Sequence, residues 1–492
     1  MNEQDGPVRD TRADVWRRTF VLLTLCAVAF MAQLDLFIVN VALPSIGHSF
    51  SGQGLGALSW VLNAYAIVFA AFLVPAGRLA DHFGRRRFLL AGVVVFAVAS
   101  GLCAIAPSLV VLVIARALQA VGAAMIVPAS LGLLLAAFPK RLHGTVVGIW
   151  AGVAAVAGSS GPPVGGLLVE ANWRWVFVIN VPIGIATLIA GLLVLPEVKA
   201  HAGARLPDPV STFTVLAAIT LLTLATVQGA SWGWGGGPEI AVYIGLLLAV
   251  AITLRRTFTH HSPLVEPALF RSREFTAASI ALLLFFITFA AWLLGTVLFF
   301  TDVWHYSTLR AGLAVMPGPV VAAVFALTNG RISALVGRRT LAVAGPLFFA
   351  AAAVLWALAV TVRPDYWSVF FPGLVLAGVS SGLSQAPLFA ATSSLDAHRA
   401  ATGSAVLNMA RQVGSALGVA LLVAIYASPD PSGLAAFRRG WIFMAVAVAA
   451  ASLVSLLRRK DPAPGVLASG GPGLASGTSS TSSEPSVGEA VP

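Results

Sequence analysis

The stretch GRLADHFGRR, residues 77–86, lies between two long apolar runs, and GRISALVGRR at residues 330–339 repeats its Gly and Arg spacing. Repeated halves are typical of transporter folds, whose binding sites lie between the halves near the middle of the membrane. In each half, the loop would join the second and third helices of a six-helix bundle. The repeat therefore predicts two related bundles, with two further helices inserted between them.

Apolar runs recur along the whole chain, which is 58% hydrophobic and 10% charged, with a mean hydropathy of +0.90. This composition excludes an ordinary soluble domain. A run of about 20 apolar residues is long enough to cross a bilayer core, and fourteen such spans are predicted. The spans are residues 19–41, 56–76, 88–106, 108–134, 144–168, 174–196, 211–231, 238–254, 275–300, 311–329, 340–361, 366–390, 400–427 and 440–457.

The spans divide the chain into five segments. Their order is a cytoplasmic N-terminus, a six-helix bundle, two inserted helices with linkers, a second six-helix bundle and a cytoplasmic tail. The tail is rich in Pro, Gly, Ser, Ala and Thr, so we expect it to be disordered because it cannot bury a core. In the same order, the segments are residues 1–18, 19–196, 197–274, 275–457 and 458–492.

The charge distribution predicts the orientation. The chain has 30 Lys and Arg residues and a formal net charge of +11. Most of them fall in alternate loops, a set that includes residues 78–87 and 255–273. By the positive-inside rule, this predicts a multi-pass protein of the cell membrane with both termini in the cytoplasm. The basic charge therefore reports topology, and no nucleic-acid partner is expected.

Asp35 is the acidic residue that the sequence places deep in a membrane, inside the apolar run 19–41. A carboxylate at that depth costs roughly 2.5–3.5 kcal/mol, so such a residue is a functional-site hypothesis by default. Proton handling is the leading interpretation. The alternative is an Asp that pairs with a neighbouring helix for structure alone.

Five stretches carry a family resemblance: residues 34–44 (LDLFIVNVALP), 77–90, 112–122 (LVIARALQAVG), 158–166 (GSSGPPVGG) and 173–184 (WRWVFVINVPIG). Together they resemble the major facilitator superfamily and, within it, the fourteen-helix drug:proton antiporter family of multidrug efflux proteins. The likeness extends over most of the chain. It implies an all-α polytopic membrane protein with the major facilitator fold, made of two six-helix bundles plus two inserted helices.

The resemblance also implies a function: proton-coupled export of small lipophilic organic compounds, such as drugs or antibiotics, across the plasma membrane. The expected partners are a small-molecule substrate, protons and membrane lipids, and the protein is expected to be a monomer without a cofactor. No Gly-x-x-x-x-Gly-Lys loop indicates an ATP site. The alternatives are a dedicated exporter of one endogenous metabolite and a polytopic membrane enzyme. The His residues are scattered through the chain, which argues against the enzyme.

The chain departs from the family pattern at three points. Ala120 stands where the fourth-helix arginine motif usually has Gly, and Ala334 replaces the acidic residue in the second loop. No additional carboxylate is found within the predicted helices 9–14. This last departure argues against a second proton site and against recognition of divalent cations.

Arg116 is expected near Asp35. At 1.5 Å of rise per residue, the two charges differ in depth by roughly 6 Å. They could interact directly, or through water or a polar neighbour such as Gln119. Burial favours a neutral Asp, while a nearby Arg favours the charged form. A conformational change that alters their proximity would turn proton uptake into release. The alternative is a static buried ion pair.

Two further sets of residues are predicted to act in gating. On the fifth helix, we expect small residues to pack against the small-residue face of helix 13 and form the outer gate, with ordinary close packing as the alternative. In the loop, Gly77 would permit close packing, and the Arg residues would anchor the cytoplasmic side. The resemblance implies that Asp81 bridges the bundles. The alternative for the loop Arg residues is that they only determine the topology. The residues are Gly77, Asp81, Gly84, Arg85, Arg86, Gly161, Pro162, Gly165 and Gly166.

Polar and aromatic residues within the predicted helices are candidates for a substrate cavity. Arg411 lies near the middle of helix 13, where an Arg should face a cavity or a partner. Aromatic side chains in such cavities can hold organic cations, although most aromatic residues in apolar helices simply pack. The candidates are Asn63, Tyr65, Gln119, Gln385, Asn408 and Arg411.

Overall fold

The computed structural model describes residues 12–139, 142–197, 208–232, 236–260, 263–395, 399–427 and 433–458. This part of the chain is almost entirely helical and contains no strand. The helices are α1 (Arg12–Ser49), α2 (Leu55–Phe83), α3 (Arg85–Ala104), α4 (Leu109–Ala137), α5 (His143–Ala171), α6 (Trp175–Val178), α7 (Asn180–Val194), α8 (Pro209–Trp232), α9 (Gly237–Thr259), α10 (Arg273–Leu298), α11 (Thr308–Val315), α12 (Pro317–Val336), α13 (Arg338–Ala359), α14 (Phe371–Phe389), α15 (Ala400–Tyr426) and α16 (Leu434–Ser455).

Thirteen spans in the described residues are long and apolar enough to cross a membrane. Two of them combine consecutive helices, namely α6 with α7 and α11 with α12. Helix α5, of 29 residues, lies between α4 and α6 and adds a fourteenth long helix. The fold is therefore the all-α polytopic membrane fold that the sequence predicts. The predicted tail lies outside the described residues, apart from Arg458.

The first span extends beyond its predicted end at residue 41. Helix α1 continues through Pro44 and ends at Ser49. Proline removes one backbone hydrogen bond and crowds the preceding turn, but a membrane helix tolerates it where neighbouring groups satisfy the freed carbonyl. The apolar run therefore marks the span but underestimates the length of the helix.

The repeated loop has the same structure in both halves. Gly84 (φ 95°) and Gly337 (φ 87°) both have positive φ angles, a region that residues with a Cβ atom rarely adopt. The last Arg of each loop then donates to a carbonyl near the end of a later helix: Arg86 Nη2 to Leu192 O at 2.7 Å, and Arg339 Nη2 to Leu456 O at 2.6 Å. We call the end of the molecule that carries these loops the basic end.

The two halves meet through two helix pairs. Helix α5 packs against α11 and α12, and α2 packs against α15. The predicted pairing of the fifth helix with helix 13, which is α15, is therefore wrong. The two halves are related by a two-fold axis. The fifth helix of the first half (α5) therefore meets the second span of the other half (α11 and α12), and the second helix of the first half (α2) meets the fifth span of the other half (α15). Two fifth helices meet only if both lie on the axis.

The small-residue face of α15 packs inside its own half. A Cβ atom added at Gly414 or Gly418 would collide with the carbonyl oxygen of Leu283 or Ile287, both on α10. These glycines therefore allow α15 and α10 to pack with their backbones in contact. They are not part of the contact between α5 and the second half.

The inserted helices α8 and α9 pack against each other, and α8 also contacts α2 and α15. At the basic end, the buried Asp208 accepts two hydrogen bonds from Arg256, at 2.9 and 2.7 Å, and one from Ser211 at 2.6 Å. The hydrogen bonds from Arg256 hold the pKa of the Asp208 carboxyl well below its usual range. This ion pair ties the two inserted helices together.

Replacing Asp208 with Asn should lower the unfolding temperature in detergent at pH 7 by a few degrees. The carboxyl pKa is lowered in the folded state, so its stabilisation is present above the unfolded-state value of about 3.9 and declines as the pH falls below it. The difference between wild type and Asp208→Asn should therefore shrink on acidification. Equal unfolding temperatures at pH 7 would show that the pair contributes nothing.

Candidate functional site

Asp35 is fully buried within α1. In the part of the chain that the structure describes, the other fully buried acidic residues are Asp208 and Glu239. Asp208 precedes α8 and Glu239 lies in the first turn of α9, so both are at helix ends. Asp35 is therefore the one of the three that lies well inside a membrane-length helix.

Three side chains from two other helices donate to the Asp35 carboxylate. Arg116 Nη1 lies 2.6 Å from Oδ2, and Gln119 Nε2 lies 2.8 Å from Oδ1. Asn180 Nδ2 also donates to Oδ1, at 3.0 Å. A charged carboxylate accepts bonds through both oxygens, so this arrangement suits the deprotonated form. It joins α1 to α4 and α7 at one point.

The Arg116 guanidinium is itself enclosed. Its Nε donates to Val61 O on α2 at 3.1 Å, and Nη1 also contacts Gln119 Oε1 at 2.6 Å. The Tyr65 ring lies against the guanidinium, with 4.2 Å from Cζ to the ring centroid. Arg116 and Gln119 reach the same carboxylate because residues three apart share one face of a helix.

Asp35 and Arg116 therefore contact each other directly, and Gln119 links them as well. The long Arg side chain spans the expected difference in depth between the two residues. A buried ion pair needs such additional hydrogen bonds to offset the desolvation of its charges. Ser100 completes the network by accepting from Gln119 Nε2 at 2.7 Å.

A cavity of about 50 Å³ lies beside this network, between α1, α2, α4, α10 and α15. Sites that hold drug-sized ligands are typically about 300–1,000 Å³, so the cavity in this structure is contracted. A ligand of that size would fit only in a wider form of this cavity. The lining comprises Leu36, Phe37, Asn40, Leu62, Asn63, Ala66, Arg116, Phe286, Phe289, Ala290, Leu293, Arg411, Ser415 and Val419.

The predicted cavity residues fall into three groups. Asn63 and Arg411 line the cavity. Tyr65 and Gln119 lie behind it, against the buried ion pair. Gln385 and Asn408 are not among its lining residues, and each amide donates to a carbonyl one turn earlier, at 3.4 and 3.0 Å. For these two, the cavity position stays a prediction, and in this structure each amide bonds to its own helix.

Several contributors were not predicted from the sequence. Asn180 binds Asp35, and Asn40 and Ser415 line the cavity together with Phe286 and Phe289. Asn40 and Asn180 both lie within the stretches that resemble the family, at 34–44 and 173–184. The family resemblance indicated that these two segments matter, but it did not show which of their side chains face the site.

At the basic end, Asp81 and Arg85 of the first loop bond within their own half. Asp81 accepts from Arg85 Nε at 2.8 Å, and Arg85 Nη1 donates to Gly132 O on α4 at 2.9 Å. Gly77 lies against α4, where an added Cβ atom would sit 3.7 Å from Pro128. The family resemblance implies that Asp81 bridges the bundles. In this structure its ion-pair partner is Arg85, in the same loop.

The predicted gate segment of α5 has two faces. An added Cβ atom at Gly165 would lie 2.9 Å from Ile38 on α1, within the same half. The same atom at Gly166 would lie 2.8 Å from the Cα atom of Leu309 on α11, in the other half. The carbonyl of Pro162 also lies directly against Gly312 of α11. Gly166 and Pro162 therefore form the contact between halves, at the end opposite the basic end.

Replacing Arg116 with Lys should test the enclosed guanidinium. A Lys keeps the charge, but it cannot bind Asp35, Gln119 and Val61 together with planar geometry. Hydrogen bonds to charged groups contribute about 1.5–3 kcal/mol, so we expect the activity that depends on this pair to be at least about tenfold lower. The pH profile should also shift, because Lys leaves some of these acceptors without a donor. An unchanged rate and profile would rule out coupling between the two residues.

These features define a class of protein: two helical halves with a buried carboxylate–guanidinium pair beside a cavity between them form a membrane transporter. The sequence profile of the Major Facilitator Superfamily matches residues 25–419, and the chain belongs to that family. Two solved transporters share the fold. A bacterial homologue of the lysosomal transporter Spinster has a TM-score of 0.60 at 15% identity, covering 90% of this chain and 95% of its own. A bacterial homologue of the peptide transporters PepT1 and PepT2 has a TM-score of 0.64 at 14% identity, with coverage of 89% and 97%.

Relatives of higher identity are resistance and export proteins. The methylenomycin A resistance protein of Streptomyces coelicolor is 33% identical over 83% of this chain and 86% of its own. The tetracenomycin C resistance and export protein of Streptomyces glaucescens is 32% identical, over 82% and 76%. The cephamycin export protein of Amycolatopsis lactamdurans is 32% identical, over 91% and 95%.

Proposed function

We propose that this transporter exports small lipophilic organic compounds, such as drugs or antibiotics, across the plasma membrane in exchange for protons. The observation that carries the proposal is the Asp35 carboxylate, fully buried in α1 and bonded to Arg116 beside the central cavity. The names of the relatives support export as the direction of transport. No cofactor is required, because the proton gradient supplies the free energy.

The geometry suggests how Asp35 couples protons to transport. In this state, three donors stabilise the charged carboxylate, and an added proton would need to displace one of them. Two of the donors are on α4 and one is on α7, so a rearrangement of these helices against α1 removes them. Protonation then becomes favourable. Substrate in the cavity contacts Arg116 directly, which lets binding bias the same rearrangement.

The orientation and division of the chain follow from this proposal. The basic end faces the cytoplasm, so both termini are cytoplasmic in accordance with the positive-inside rule. Residues 19–196 and 275–457 form the two moving bundles, and residues 197–274 form the inserted pair beside the contact between α2 and α15. Residues 458–492 form a cytoplasmic tail. One copy of the chain, in lipid, suffices to move substrate and protons.

Gating belongs to two regions. On the cytoplasmic side, the loop fixes α2 against α3 and α4. The loop residues that act there are Gly77, Asp81, Gly84, Arg85 and Arg86. On the outer side, Gly161 and Gly165 hold α5 on α1, while Pro162 and Gly166 make the contact with α11 that opens and closes. This assignment replaces α15 with α11 as the partner of α5.

A dedicated exporter of one endogenous compound is the second candidate. The similarity to proteins named for resistance to, or export of, a single antibiotic favours it. The two candidates share the proton-coupling site and differ only in the range of compounds that enter the cavity.

The proposal is tested in everted membrane vesicles from cells that express the protein. A panel of dyes and antibiotics should accumulate inside vesicles whose lumen is acidic, and a protonophore should abolish the accumulation. Broad uptake supports the multidrug form, and uptake of one compound supports the dedicated form. Uptake that persists undiminished with the protonophore would contradict proton coupling.

A further inference from the structure

Arg411 places a second cation in the cavity, beside Arg116. It lies on α15 and lines the cavity, and its guanidinium carbon is 4.9 Å from the centre of the Phe286 ring. No ion pair joins it to any residue that the structure describes. At 1.5 Å per residue it is roughly 16 Å from the start of α15, near the middle of the membrane.

The cavity therefore carries an uncompensated positive charge. Its lining contains two guanidinium groups, those of Arg116 and Arg411, and no acidic residue. Asp35 neutralises Arg116 at 2.6 Å from behind the lining. The charge of Arg411, which is half-buried near the middle of the membrane, remains, and a charge at that depth without a counter-ion is costly. A negatively charged ligand would remove that cost, whereas a cationic ligand would add to it.

The rest of the lining is suited to a flat apolar body. The rings of Phe286 and Phe289 lie 5.6 Å apart, and Phe37 on α1 meets Phe289 edge to face at 6.0 Å. These three rings come from both halves. The Oδ1 atom of Asn63 is buried and has no hydrogen-bond partner among the described residues, so it can accept from a hydroxyl or amide of a ligand.

We propose that the exported compounds are organic anions, aromatic weak acids whose carboxylate or phenolate binds Arg411 while the ring system packs on Phe286 and Phe289. This proposal rests on the export function proposed above and names its substrate class. It has an electrical consequence. Exchange of one proton inward for one monovalent anion outward moves two positive charges inward, so the membrane potential drives anion export as well as the pH gradient.

The test uses proteoliposomes with purified wild-type protein and pairs of probes that differ only in charge: pyrenebutyrate with pyrenebutyramide, and naphthoate with naphthamide. We expect wild type to move each carboxylate at least about tenfold faster than its amide, since a charge-assisted hydrogen bond contributes about 1.5–3 kcal/mol. Arg411→Gln should bring the two rates to within about twofold of each other. Arg411→Lys, which keeps the charge, should retain most of the preference.

Two controls keep the outcomes distinct. Arg310→Gln removes an exposed guanidinium that lies over the Tyr306 ring outside the cavity, and it should leave the preference unchanged. Transport of the amides by Arg411→Gln shows that this variant is folded. Wild type that moves neutral or cationic compounds with no preference for the carboxylates, or Arg411→Gln that keeps the preference, overturns the anion proposal alone. Wild type that moves no compound under a proton gradient overturns the export function itself.

Discussion

Replacing Asp35 with Asn should lower proton-driven export by about 100-fold or more, the scale of loss expected when a proton-transferring group is removed. An amide has the shape of the carboxylate, but it cannot take up or release a proton. Asn can still accept a bond through its oxygen, so substrate binding in the cavity should persist. Counterflow of substrate without a proton gradient should therefore remain measurable in the variant.

Stability must be measured alongside transport, because Asp35→Asn leaves Arg116 buried without its counter-ion. Breaking a buried pair by removing one partner typically costs about 3–5 kcal/mol. The double variant Asp35→Asn/Arg116→Gln removes both charges, so it should be more stable than the single variant and equally inactive. Asp365→Asn is the matched control, since Asp365 is exposed and caps Ser368, a role that Asn also fills. Proton-coupled export by a folded Asp35→Asn protein would refute the assignment.

Replacing Gly166 with Leu should open the contact between α5 and α11. The added side chain meets the backbone of Leu309, which cannot move aside as a flexible side chain does. Overpacking costs about 1–3 kcal/mol, which shifts an equilibrium between closed and open forms by about 5- to 150-fold. The protein should then accumulate with the end opposite the loops open, and export should fall because the cycle is not completed.

The measurement is disulfide crosslinking between one cysteine on α5 and one on α11, in a background without Cys26 and Cys103. Gly166→Leu should slow the crosslinking. In the wild-type protein, adding substrate should change the rate of crosslinking. Two variants on the same helix serve for comparison. Gly165→Leu strains the contact with α1 instead. Gly148→Leu adds a side chain where an added Cβ atom would have no neighbouring atom within 4 Å. A crosslinking rate that changes neither with Gly166→Leu nor with substrate would mean that the interface is static.

The sequence predicts the spans and the pairing of two charges because both depend on position along the helix axis. Apolar length sets the number of spans, and the rise per residue placed Asp35 and Arg116 at similar depths. The direct contact of 2.6 Å agrees with that estimate. The repeated loops were predictable because each is a short local motif. Gly84 and Gly337 stand at the same position of that motif, and both have a positive φ angle.

The rotation of each helix and its partner could not be predicted. Lipid is as apolar as a protein core, so the helices are apolar on all sides and amphipathic periodicity does not show which face is inward. For this reason, Gly165 and Gly166, which are adjacent in sequence, face α1 and α11 respectively, and the sequence did not distinguish them. Asn180 reaches Asp35 only because α7 packs against α1, a contact between residues far apart in the chain.

Substrate-induced proton movement tests the coupling role of Asp35 most directly. Proteoliposomes that contain wild-type protein and an internal pH-sensitive dye are given a substrate gradient at equal pH on both sides. Substrate moving down its gradient should drive protons in the opposite direction in wild type and in Asp365→Asn, with no proton movement in Asp35→Asn. Equal proton movement in wild type and Asp35→Asn, at matched substrate flux, would contradict the assignment of Asp35 as the coupling group.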